Sequence, residues 1–131
     1  IIDHYARLTT PSHTILFVPC EVTYIPEGYN FEDELIIEDA FINKTWKNGI
    51  NKIEYVQLTT NANHTIDKDY RIIYIDEQEI YLTQSEYSYT LVWINDYGSF
   101  NLICSTSIPW EEVEAIFRSI TPIEEAPADP E

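Results

Sequence analysis

The stretch YTLVWINDYGSFNLICS, Tyr89 to Ser105, carries the reading on which the fold turns. Apolar residues take every second position before its turn (Leu91, Trp93) and again after it (Phe100, Leu102, Cys104), the period-2 pattern of strands with one buried face. With Asn95 to Gly98 as a four-residue loop, Trp93 faces Phe100, Leu91 faces Leu102 and Tyr89 faces Cys104 on one side of a hairpin. A slip of one residue sets these side chains against Asn101, Ile103 and Ser105, so the pattern itself selects the register. The same stretch gathers Trp93, Asn95, Asp96 and Tyr97, a set that also suits a sugar site. The alternation favours a core role for Trp93.

Upstream, Ile72 to Ile75 and Ile80 to Leu82 flank Asp76-Glu77-Gln78-Glu79 and read as another hairpin, with Ile75 facing Ile80 and Ile73 facing Leu82. Tyr74 and Tyr81 then point to the other side of the ribbon. Glu34 to Trp46 reads as an extended stretch of β-branched and aromatic residues, Asn48-Gly49 as a turn, and Ile53 to Leu58 as the returning strand. Ile15 to Phe17 and Glu21 to Ile25 read as extended segments interrupted at Pro19 and ended by Pro26-Glu27-Gly28. Asn61 to Asp69 is a polar loop, and Ile1 to Leu8 suits either a short helix or a strand. Asn43-Lys44-Thr45 and Asn63-His64-Thr65 match the N-glycosylation acceptor, which matters only in a eukaryotic secretory pathway.

Downstream, PWEEVEAIFRSITP (Pro109 to Pro122) places Val113, Ile116, Phe117 and Ile120 at i, i+3, i+4 and i+7, one apolar face of a helix. Glu111, Glu112 and Glu114 lie toward its positive end and Arg118 toward its negative end, while Pro109 is tolerated in the first turn and Pro122 is a stop. The predicted architecture is α+β: an antiparallel meander of about six or seven strands with the C-terminal helix packed on one face. A single domain is expected over residues 1–120, followed by an acidic, proline-rich tail from Thr121 to Glu131.

A length of 131 residues suits one domain with a real core. No run approaches the roughly 18 apolar residues of a membrane span, so membrane insertion by this chain is not expected. It opens at Ile1 without methionine, which reads as a mature segment of a longer chain. The formal net charge of −16, from 23 acidic against seven basic residues, repels phosphate backbones and anionic lipid, so nucleic acid is excluded as a partner. The remaining readings of the charge are solubility, or attraction to a basic partner or cations. The carboxylates cluster as Glu32-Asp33-Glu34, Glu38-Asp39, Asp76-Glu77 and Glu111-Glu112, without the spacing of a calcium loop, and no metal or cofactor is expected.

Catalytic chemistry finds little to work with. Glu32, Asp33, Glu38 and Asp39 are the candidates for a paired acid and base, but neighbouring residues on a strand point to opposite faces. A nucleophile-base site needs His4, His13 or His64, all in polar or loop context. No G-x-S-x-G, H-E-x-x-H or glycine-rich phosphate loop is present. Cys20 and Cys104 lack zinc or redox spacing; they read as two buried small residues, with a bridge between them as the alternative.

VTYIPEGY (Val22 to Tyr29), YTLVWINDYGSF (Tyr89 to Phe100) and IPWEEVEAIFRSI (Ile108 to Ile120) together resemble a bacterial family of unknown function, number 4367, over about residues 22–120. Two departures stand out. Pro109 replaces the usual serine before the helix, and Glu77-Gln78 stands where an Asn-Gly turn is usual. The resemblance implies the extracytoplasmic C-terminal part of a membrane-anchored protein of Gram-positive bacteria, with a regulatory or envelope role. It carries over no catalytic residue.

The function expected from these readings is a non-catalytic, monomeric extracytoplasmic module that senses or binds a protein or envelope ligand and reports through an N-terminal segment. Its expected binding surface is an aromatic patch of Tyr74 and Tyr81, with Tyr55 alongside, on the sheet face away from the helix. The alternative readings are a structural spacer domain and, further off, a hydrolase. An exposed apolar patch or closed pocket favours binding, and a uniformly polar exterior favours the spacer.

Overall fold

The computed structural model describes residues 15–62 and 68–123. Strands β1 (Cys20–Val22), β2 (Asn30–Ile37), β3 (Phe41–Asn48), β4 (Asn51–Leu58), β5 (Arg71–Ile75), β6 (Gln78–Gln84), β7 (Ser88–Asn95) and β8 (Gly98–Ser105) precede helix α1 (Trp110–Arg118) and a final strand β9 (Ile120–Pro122). Seven strands form one sheet in the order β2-β3-β4-β8-β7-β6-β5, and β1 pairs with β9 in a separate ribbon. Every pairing is antiparallel. The fold is therefore α+β, as the alternation and the single helical period predict. Its strand order is two meanders, β2 to β4 and β5 to β8, laid side by side through β4 and β8, and not one continuous run.

The β7–β8 hairpin has the register expected from its sequence: Trp93 opposes Phe100, Leu91 opposes Leu102 and Tyr89 opposes Cys104, with Asn95 opposite Gly98 at the turn. Gly98 is required by close approach, because a Cβ there would lie 2.5 Å from the Leu58 carbonyl oxygen of the neighbouring β4. The β5–β6 hairpin differs. Its turn has two residues, not four: Ile75 opposes Gln78 and Ile73 opposes Ile80, with Asp76 and Glu77 both at positive φ (50° and 73°). That is the backbone of a tight hairpin turn, usually supplied by Asn-Gly. A shift of two leaves every side chain on its expected face.

A further hairpin lies inside the stretch read as one extended segment. The chain reverses at Glu38-Asp39-Ala40, with Asp39 in the left-handed region (φ 64°) and the Ala40 N–H bonded to the Ile37 carbonyl at 3.0 Å. Asp tolerates that backbone because its short polar side chain bonds locally. The next turn uses Gly49 at φ 66° followed by Ile50, and Asn48 opposes Asn51.

On the helix face, Ile53, Tyr55, Ile80, Leu82, Leu91, Trp93, Phe100, Leu102 and Cys104 meet Val113 and Ile116 of α1 in one buried cluster. Each such side chain contributes roughly 1.5–3 kcal/mol through its removal from water. Trp93 stacks on Phe100 (centroids 5.0 Å apart, planes 3°) and receives Phe117 edge-on at 4.8 Å. Trp110 meets Tyr89 edge-on at 5.1 Å and donates its indole N–H to Glu114 at 2.8 Å. The helix has no side-chain cap at Pro109. Its C-terminal end is tied instead to the segment after β1, where Thr23 donates its hydroxyl and backbone N–H to the Ser119 carbonyl (2.8 and 3.2 Å). The helix ends at Arg118, and Pro122 belongs to β9.

The pairing of β9 runs past the expected domain boundary at Ile120. Glu21 opposes Thr121, Cys20 opposes Pro122, and the Ile123 N–H donates to the Pro19 carbonyl at 2.9 Å. Ile15 to Phe17, expected as a strand, is an irregular strap held to the end of β4 by the Leu16 and Thr60 backbones (2.9 Å) and by the Thr60 hydroxyl (2.9 Å).

Candidate functional site

The face periodicity of β4 is Ile53, Tyr55, Gln57, and all three point toward the helix side of the sheet and are buried. A glutamine there needs partners. Its Oε1 accepts from the Cys20 N–H (2.8 Å) and the Tyr55 hydroxyl (3.0 Å), and its Nε2 donates to the carbonyls of Val18 (2.8 Å) and Tyr97 (3.0 Å). The Val18 N–H also donates to the Tyr97 carbonyl at 2.8 Å. Gln57 thus fastens the N-terminal strap to the tip of the β7–β8 hairpin. Sequence reasoning missed it, although its place two residues after Tyr55 was the available signal.

The expected aromatic surface does not form. Tyr55 lies on the helix face, fully buried, its hydroxyl bonded to Gln57 and to the Cys20 carbonyl (3.3 Å). Tyr81 lies on the outer face as expected but is only 1% exposed, packed with Val92, Ile72, Ile94 and Tyr70, whose ring meets it edge-on at 5.2 Å. Tyr74 alone is open to solvent, at 64%. Alternation assigns a side chain to a face; it does not say whether that face is covered.

A crevice of about 170 Å³ opens where the β5–β6 and β7–β8 turns meet the end of α1, above Trp93, Phe100 and Phe117 and beside Asp76, Gln78, Asn95 and Arg118. Several of its polar groups are engaged within the fold. Arg118 bonds Asp76 at 2.8 Å, the Gln78 amide donates to the Glu79 and Ile94 carbonyls (2.9 and 3.2 Å), and Asn95 accepts from the Tyr97 N–H at 2.8 Å. Trp93 is 2% exposed at its floor. The opening stretch is therefore core and hairpin, and Trp93 offers no platform to a sugar.

On the outer face of β2 to β4, Glu32, Asp33, Asn43, Thr45, Lys47, Lys52 and Glu54 line an open polar dish. The Glu54 carboxylate is held by Asn43 (2.9 Å) and Lys52 (3.6 Å). Of the four carboxylates considered for acid-base work, Glu32 and Asp33 line this dish on β2, whereas Glu38 and Asp39 sit in the turn beyond. Among the described residues no group of three or more His, Cys, Asp or Glu is placed to hold a metal. His4, His13 and His64 lie outside the described residues. Cys20 and Cys104 are free, buried thiols in the same cluster. Burial pushes Cys20 up to about 11 and Cys104 up to about 12, so both keep their protons at neutral pH and are poor nucleophiles.

The feature without a structural explanation is β2. It forms one edge of the sheet, and all eight of its residues are exposed. Phe31, Leu35, Ile36 and Ile37 are each between 52% and 57% exposed. The register slips between Phe31 and Asp33, which leaves Glu32 as a bulge. Leu35 and Ile37 share the outer face with Asp33, and Ile36 lies on the helix side with Glu34, whose carboxylate is 3.9 Å from Lys44. Phe31 meets Trp46 across the strand pair, ring centroids 5.9 Å apart, and Ile37 lies opposite Phe41. The sequence signal for this edge is an acidic run, Glu32-Asp33-Glu34, directly before three apolar residues, a pattern by which exposed strands avoid pairing with their own kind.

No curated protein and no solved structure matches the chain. The family model described as Domain of unknown function (DUF4367) matches residues 19–120, a span that runs from the start of the β1–β9 ribbon through α1. By that match over most of its length, the chain belongs to this family.

Proposed function

We propose that this domain is a non-catalytic binding module that engages another protein along the free edge of β2, at the outside of the cell. The observation that carries the reading is the edge itself: eight exposed residues with Leu35, Ile36 and Ile37 in succession. An edge strand presents a row of backbone donors and acceptors ready for another chain, and contiguous apolar side chains on it mark an interaction site more than a spacer surface. The raised thiols and the committed polar groups of the crevice add to the case for binding without turnover. The Gln57 bonds that fasten Val18 and Cys20 to the sheet give a signal toward the N-terminal side a physical link to the domain. The extracytoplasmic location rests on the family resemblance.

The test is capture from cell-envelope extracts by the immobilised domain, compared with a Leu35→Lys, Ile37→Lys variant that keeps its melting temperature. Loss of a specific captured protein is the expected result. Equal capture by the folded variant moves the function off the edge, and no specific capture by either returns the spacer reading. Turnover of a glycoside, ester or peptide panel that disappears on replacing one carboxylate overturns the non-catalytic reading.

A further inference from the structure

We infer that the occupant of the β2 edge is a basic, β-branched extended segment of another protein, which adds as an eighth strand with its cations flanking a short apolar centre. This rests on the binding reading above and goes further by naming the chemistry of the partner. The argument begins with the charge pattern along the edge. Leu35, Ile36 and Ile37 are bracketed by Glu32, Asp33 and Glu34 on one side and by Glu38 and Asp39 in the turn on the other. Among the described residues, Glu34 alone of these five carboxylates has a basic partner, Lys44, at the long distance of 3.9 Å. An apolar triplet between two acidic brackets is complementary to apolar residues between two basic ones.

The same pattern opposes a second copy of this chain. Two β2 edges laid antiparallel place acidic brackets beside each other, in molecules that each carry −16 overall, and like charges set opposite across strands destabilise the pair. The Glu32 bulge adds local twist, a further device against flat self-pairing. The opposite edge offers no equivalent. There β5 has five residues, ends in a buried Ile75 and carries one cation, Arg71. The edge that is long and apolar is thus also the edge whose charge selects against itself and for a cationic chain.

The side-chain faces refine the match. A strand added to β2 places alternate side chains beside Leu35 and Ile37 on the outer face and beside Ile36 on the helix side. Its flanking positions lie next to Asp33 and Glu34 at one end and next to Glu38 and Asp39 at the other. Main-chain hydrogen bonds supply affinity in such an arrangement, and the side chains supply selection.

The experiment uses the whole chain, isotope-labelled for amide NMR, and a blocked peptide, Lys-Lys-Ile-Val-Ile-Lys-Lys. Controls are the Glu-Glu-Ile-Val-Ile-Glu-Glu peptide and a Lys peptide N-methylated at alternate backbone positions. Expected are shifts confined to β2 and its turn, binding that weakens as salt is raised, and loss of binding on N-methylation. Charge reversal by Glu32→Lys with Asp33→Lys should weaken the Lys peptide about tenfold while leaving the melting temperature unchanged. Equal binding of the two peptides, shifts mapping elsewhere, or no binding overturns the inference. If the Lys peptide fails while Leu35→Lys with Ile37→Lys still abolishes envelope capture, the edge remains the site and only its charge selectivity falls. If that variant captures normally, the edge reading falls with it. A concentration-dependent dimer that the same substitutions disperse assigns the edge to a second copy and overturns the inference as well.

Discussion

Strands β2 and β4 lie two places apart in one sheet and carry opposite anomalies. In β2, NFEDELII, three consecutive apolar residues stand in solvent; in β4, NKIEYVQL, a glutamine and a tyrosine hydroxyl are sealed inside. Composition alone predicts the reverse. The difference comes from what lies over each strand. The strap and β1 close over β4, and Gln57 can be buried because Val18, Cys20, Tyr55 and Tyr97 supply the partners its amide needs. Nothing among the described residues pairs with the outer edge of β2. A strand's side chains choose a face, and the rest of the chain chooses whether that face is dry.

The sharpest way to break the comparison is at the core on which the covered half rests. Trp93→Ala should cost about 3–5 kcal/mol, since it removes a large side chain that stacks on Phe100 and is met edge-on by Phe117. Chemical denaturation measures it, and a cost near zero would mean the covered half is not built as described.

Alkaline titration comes next. Below pH 9 the folded and unfolded thiols are both protonated and their contribution to stability is whole. As pH rises from 9 toward 11, the unfolded chain ionises Cys20 while the folded chain still holds the proton, so stability falls. Cys20 alone accounts for a loss on the order of 3 kcal/mol across that window, with Cys104, raised to about 12, adding to it. Denaturation series at stepped pH should show this slope, reduced in a Cys20→Ala, Cys104→Ala variant, with a remainder above pH 10 from the buried Tyr55 hydroxyl, which burial raises in the same way.

Gln57→Leu sharpens the contrast directly, because on composition it improves β4. It should instead cost about 2–4 kcal/mol, by stranding the buried Cys20 N–H and leaving the Val18 carbonyl only the weak Cys20 thiol as donor. Amide exchange should quicken at Val18 and Cys20 before it does in β7. A stabilised variant would show that the strap is held by packing alone.

Truncation after Ile120 removes two residues of β9 and the Ile123 bond to Pro19. It should cost about 1–2 kcal/mol, a fall of several degrees in Tm. The smallest effect belongs to β2. Leu35→Lys and Ile37→Lys should each alter stability by less than about 0.5 kcal/mol, as exposed sites do. A larger loss would mean that the edge is covered after all, and the first half of the comparison would fail.

Legibility followed locality. The β7–β8 register was readable residue by residue, because five apolar positions in strict alternation leave one pairing that buries them all. The β5–β6 register was misread by two residues, since Asp76-Glu77 adopts a turn backbone that Asn-Gly announces and these residues do not. The β2–β3 hairpin was hidden for the same reason, its turn made by Glu38-Asp39-Ala40 without glycine or proline. The tyrosine surface was half legible. Tyr74 and Tyr81 do share the outer face, but Tyr70 and its neighbours close over Tyr81, and Tyr55 follows the phase of Ile53 onto the helix side.

By itself, the sequence determined the periods: which residues alternate, which recur every third and fourth, and hence an antiparallel sheet with one amphipathic helix. Those are properties of a few adjacent residues, set by the geometry of the backbone. Only the tertiary structure decided which faces are covered, that Gln57 is an inside residue and Leu35 an outside one, and that β9 pairs with β1, the last and the first strand among the described residues. Burial is a relation between segments far apart in the chain, as between Gln57 and Val18 or Cys20 and Pro122, and no local pattern in either partner records it.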